Sequence, residues 1–78
     1  MVPEIFGRRI VSPVLEQSGV RVRVIDLLSQ GVTAELFFES ANKVSTRLTE
    51  NTLTLADNLG RVIVVDLLSN RTIRNFRI

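Results

Sequence analysis

The chain has 78 residues, 45% of them hydrophobic, with ten basic and eight acidic side chains and a formal net charge of +2. A domain of this size buries only about 60% of the surface its unfolded chain exposes. With no cysteine and no histidine, neither a disulfide nor a zinc-finger-type site can staple its thin core.

In chain order, valine, isoleucine and threonine crowd into short runs with no sustained three-and-four spacing, which reads as β throughout. Strands are predicted at Arg9–Leu15, Val20–Leu27, Val32–Glu39, Lys43–Thr49, Thr52–Ala56, Arg61–Leu67 and Thr72–Ile78. The links "EQSG", "LSQG", "ESAN", "TEN", "ADNLG" and "LSNR" are rich in residues that tolerate tight turns. One helical alternative stands at "ESANKVSTRL", where Ser40 is placed to cap a short turn.

The sharpest feature is internal. Asp26-Leu27-Leu28-Ser29 recurs as Asp66-Leu67-Leu68-Ser69, an offset of 66 − 26 = 40, and at that offset Leu15 matches Leu55, Arg21 matches Arg61, Val22 matches Val62 and Val24 matches Val64. A period near 40 signals a repeat architecture. The expectation is one all-β domain built from two repeats, about 1–38 and 39–78. Each repeat is an antiparallel meander, and the pair forms either blade-like sheets or a small pseudo-twofold β-barrel.

The second copy, "TLTLADNLGRVIVVDLLSNRTIRNF", resembles a β-propeller blade of the WD-repeat kind. Ala56-Asp57-Asn58 and Gly60 fall at that family's hairpin turn, and Asp66 falls at the aspartate of its Trp-Asp dipeptide. The first copy matches with Gly19 and Asp26, while Val65 and Ile25 stand at the tryptophan position. The resemblance implies sheets that stack on further sheets, since two blades do not close a propeller.

Alternation separates the copies. In the first, Val20, Val22 and Val24 share a face and Arg21 and Arg23 point the other way; in the second, Ile63 and Val65 hold the face opposite Val62 and Val64. Ile63 at the position of Arg23 implies a neighbour for the second unit, either the other half of the chain or another subunit. Ile63, Val65, Phe76 and Ile78 are therefore the candidate interface residues. The partner expected is a second copy of the chain or a larger β-protein.

Catalytic chemistry has little to work with, since histidine and cysteine, the common general base and the strongest nucleophile, are both missing. Asp26 and Asp66 form a conceivable carboxylate pair, but an aspartate at a turn ordinarily accepts backbone N–H bonds, and the same holds for Asp57. No catalytic residue, cofactor or metal is expected. Nine of the ten basic residues are arginine, Lys43 being the exception, a bias that suits bidentate ion pairs at protein interfaces or contact with phosphates. The alternative function is thus a small nucleic-acid-binding β-barrel using Arg21, Arg23, Arg61, Arg71, Arg74 and Arg77, with Arg71 and Arg77 expected on one face of the last strand and Arg74 on the other. No apolar run approaches the roughly 20 residues of a membrane-spanning helix, and a cytoplasmic location is the expectation.

Overall fold

The computed structural model, described for residues 2–78, contains eight strands and, among those residues, no helix. Sheet I consists of β1 (Glu4–Phe6), β2 (Arg9–Glu16), β3 (Gly19–Asp26) and β4 (Gly31–Glu39). Sheet II consists of β5 (Val44–Leu48), β6 (Thr52–Asp57), β7 (Arg61–Asp66) and β8 (Arg71–Arg77). Both are antiparallel meanders in sequence order, with no ladder joining one to the other among the described residues. Of the two expected architectures, the paired open sheets are found and the closed barrel is not.

All seven predicted strands are present within one residue of their expected limits. β1 is an addition, three residues long and tied to β2 by a turn with Gly7 at φ 61°. It is too short to show an alternation. At "ESANKVSTRL" the strand reading holds over Val44–Leu48; Ser40 takes φ 65°, a turn conformation rather than a helix cap.

The repeated Asp-Leu-Leu-Ser segments are matching turns. Gln30 and Asn70 both have left-handed backbone, at φ 59° and 58°. Leu28 N–H donates to Asp26 Oδ1 at 2.8 Å, and Ser69 Oγ donates to Asp66 Oδ2 at 2.7 Å. After each turn the ladder slips at the same place, between Val24 and Ile25 in one copy and between Val64 and Val65 in the other, leaving Thr33 and Ile73 as the extra residues. Duplication therefore extends to a shared β-bulge.

The first hairpin of each sheet breaks the strict period. Pro13 stands opposite Val22, whereas Ala56 stands opposite Val62, so β2 and β6 correspond at 56 − 13 = 43 rather than 40. β1 and β5 follow the same displacement: Leu27 N–H donates to Arg8 O and Leu67 N–H to Asn51 O, and 51 − 8 = 43. Sheet II has a hairpin three residues shorter. The counterpart of Leu55 is accordingly Ser12, each facing the matched positions Ile63 and Arg23. The sequence match of Leu15 with Leu55 is corrected, because Leu15 lies on the part of the hairpin that the second copy lacks.

Residues directly opposite across a ladder share a face, so register and burial together fix the layers. In sheet I, Val11, Val20, Val22, Val24 and Phe38 are buried on one face, here the valine face. In sheet II Val62, 7% exposed, is buried on one face outside the core cluster, while Val44, Leu48, Leu53, Leu55 and Val65 are buried on the other with Ile63 packed against them. That is the opposite face in repeat terms, carrying Arg61, Ile63 and Val65 where sheet I carries Arg21, Arg23 and Ile25; it is here the arginine face. The core thus forms between the valine face of sheet I and the arginine face of sheet II. Three side chains fasten it: Glu4 Oε1 accepts from Thr46 Oγ1 at 3.0 Å and Leu48 N–H at 3.1 Å, the Arg9 guanidinium donates to Glu50 O at 3.0 Å and Leu67 O at 3.4 Å, and Arg61 donates to Glu39 O while lying 5.8 Å above the Phe38 ring.

Candidate interaction surfaces

Packing unlike faces together leaves one face of each kind outside. The outer arginine face of sheet I is apolar at one end and charged over the rest, closing on the Glu16–Gly19–Glu39 row. Ile5, Ile10, Ile25 and Val32 line that apolar end in register, Ser12, Arg23 and Glu35 form the next row, and Val14 and Phe37 flank Arg21 in the third. Across these rows Arg21 donates to Glu16 and to Glu35, each at 2.8 Å, and Arg23 reaches Glu35 at 3.4 Å. Arg21 also sits 4.9 Å over the Phe37 ring. Hydrogen bonds from Arg21 hold the Glu16 and Glu35 carboxyls below their ordinary range, and the two carboxylates push the Arg21 guanidinium up.

The outer valine face of sheet II carries Val62 and Val64, with Ala56 and Phe76 opposite Val62 and Thr54 and Arg74 opposite Val64. Ile78 follows at the end of the chain, where its N–H donates to Gly60 O at 2.8 Å. Gly60 has φ 86°, and a Cβ there would approach Ile78 O to 2.8 Å, so this close return of the chain end requires glycine.

At several positions the outer faces repeat the apolar character of the inner ones. Leu48 is 6% exposed and its counterpart Ile5 is 64% exposed; Leu67 is 2% exposed and Leu27 is 44% exposed. Leu53 and Val65 are buried, and Ile10 and Ile25 hold the same places half-buried. On the valine faces Phe38 is 1% exposed against 91% for Ile78, and the half-buried Leu36 has Phe76 as its counterpart at 46%. An aliphatic side chain standing in water at a position built for burial forgoes about 1.5–3 kcal/mol of transfer free energy.

Of the sequence-derived interface candidates, Ile63 and Val65 lie within the chain's own sheet-to-sheet layer, whereas Phe76 and Ile78 are exposed on the far side of sheet II. The neighbour implied by Ile63 is the first half of the chain. The six arginines do not converge on one surface. Arg21 and Arg23 occupy the outer face of sheet I, Arg61 and Arg77 the inner face of sheet II, and Arg71 and Arg74 its outer face. Strict alternation placed Arg71 with Arg77, but the extra residue Ile73 moves it to the side of Arg74. Strand periodicity alone could not find Ile5, Ile10, Ile25 and Leu27, whose significance lies in the burial of their counterparts.

The aspartates act as turn fasteners. Asp26 and Asp66 hold their own loops as described, and Ser69 hydrogen bonds keep the Asp66 carboxyl below its usual range. Asp57 is fully enclosed and accepts from Leu59 N–H at 3.0 Å, Arg61 N–H at 2.8 Å and the Arg61 guanidinium. Burial pushes its carboxyl up, but the bonds from Arg61 and Leu59 outweigh that and hold it below the usual value. Open depressions among the described residues include one of about 470 Å³ between the β2–β3 hairpin and Glu39–Asn42 and another of about 240 Å³ bordered by Arg8, Arg9 and Asp26. In the second, Asp26 is paired with Arg8 at 3.4 Å. Among the described residues no three acidic side chains gather as metal ligands would, and no helix is long and apolar enough to cross a membrane.

Compared with protein-family models, curated proteins and solved structures, the chain gives no match.

Proposed function

We propose that this protein is a non-enzymatic assembly module, joining copies of itself or completing a larger β-structure through its two outer sheet faces. The observation that carries this reading is the recurrence of apolar residues at exposed positions whose counterparts are buried, as in Ile5 for Leu48 and Leu27 for Leu67. A repeat unit cannot bury its apolar faces alone, and stacked neighbours complete its core. The blade resemblance supports the same reading, since a blade of that kind packs against further blades.

Self-assembly links folding to association, so the thermal midpoint should rise with protein concentration. Scanning unfolding across a dilution series by circular dichroism measures this. A midpoint independent of concentration, for a chain that unfolds reversibly, would count against self-assembly.

A further inference from the structure

We infer that copies of this chain join head to tail, the outer valine face of sheet II in one copy seating on the outer arginine face of sheet I in the next. The inference rests on the assembly reading above and specifies its partner as a second copy and its geometry as heterologous. The argument is the inequivalence of the internal contact. Two sheets of the same repeat pack by unlike faces, valine face of sheet I on arginine face of sheet II. What remains free is one face of each kind, so each copy presents to its neighbour the type of surface that the repeat counterpart of the neighbour's free face meets inside the chain.

A twofold dimer would instead set like on like. On sheet I that places the Arg21–Glu35–Arg23 cluster against itself, and desolvating charges against like partners is costly. Head-to-tail stacking sets Val62, Val64 and Phe76 against that cluster in place of a second copy of it, and gives definite neighbours. Arg61 of sheet II lies over Phe38 of sheet I; their counterparts at the 40-residue offset are Arg21 and Ile78, so Arg21 of one copy comes to lie beside Ile78 of another. Leu27, exposed here, takes the covered position that Leu67 has. The outer faces depart from the inner ones mainly by polar replacement: Arg23 for Ile63, Ser12 for Leu55 and Arg74 for Ala34. The contact between copies is therefore more polar than the one within a chain, as suits surfaces that are exposed before they meet. A heterologous contact closes into a ring where the rotation between copies permits, and otherwise runs on as a filament.

Two variants separate the possibilities. Val64→Asp blocks the outer valine face and Ile25→Asp the outer arginine face, so each alone should be monomeric. Their mixture should form a heterodimer, because each chain keeps the face that the other lacks. An oligomeric wild type whose mixed variants stay monomeric would overturn the head-to-tail contact while leaving self-assembly standing; a monomeric wild type would overturn both. Should either variant lose its strand signal in circular dichroism, Arg21→Cys and Ile78→Cys in this cysteine-free chain give the second measurement. Oxidation should link the mixture into disulfide dimers of the two variants and leave each variant alone unlinked. Equal linking within single variants, or none in the mixture, would overturn the proposal.

Discussion

Asp57 joins local structure to stability most directly. Its carboxylate accepts two backbone N–H bonds and the Arg61 guanidinium, and Arg61 continues across the core to Glu39 and Phe38. Its folded pKa is held below the unfolded value of about 3.9. The stabilisation is thus present in full above the unfolded value and lost as pH falls through the folded one. Asp57→Asn should therefore lower stability at neutral pH and flatten the acid side of the stability profile, as followed by thermal unfolding from neutral to acid pH. An acid side unchanged from wild type would contradict this role. Asp66, Glu16 and Glu35 are shifted in the same direction, so the acid dependence should shrink and not vanish. The turn roles of Asp26, Asp57 and Asp66 were legible in the sequence, because an aspartate bonding its own turn acts over two to four residues. The Arg61–Phe38 contact was not, since it depends on how two separate sheets come to face each other.

Among the strands, β7 holds the clearest consequence of unlike-face packing. Val64 and Val65 are neighbours in sequence, yet Val65 is buried in the layer between the sheets and Val64 looks outward. Val65→Asp places an unpaired charge in a thin core and should cost on the order of 3 kcal/mol or more, enough to unfold a domain this small. Val64→Asp should keep the fold, seen as a retained strand spectrum and cooperative melt, while lowering the assembled mass. Equal loss of structure in both variants would contradict the assignment of faces. Strand positions were readable because alternation and turn residues repeat in clear order. The displacement of β1 and β2 relative to β5 and β6 was hidden, since the chance identity of Leu15 and Leu55 continued the 40-residue register past the point where the hairpins differ in length. The bulge at Ile73 was likewise silent in the sequence and moved Arg71 to the other face.

For the molecule as a whole, duplication gives two open four-stranded meanders packed by unlike faces, with one face of each left outside. Among the described residues thirteen hydrophobic side chains are buried, while Ile5, Leu27, Val32, Phe76 and Ile78 stand exposed. Small domains keep only a few kcal/mol in reserve, and covering the outer faces would add to it. The contrast of Arg23 with Ile63 did signal unequal surroundings, though Ile63 meets the chain's own first sheet. The signal pointing beyond one chain lies in the apolar residues the two copies share where only one is covered. Sedimentation equilibrium at micromolar concentration is the most direct measurement of this account. The expected result is a mass above that of one chain that falls on dilution and falls again with Val64→Asp; a strictly monomeric, cooperatively folded wild type would contradict it.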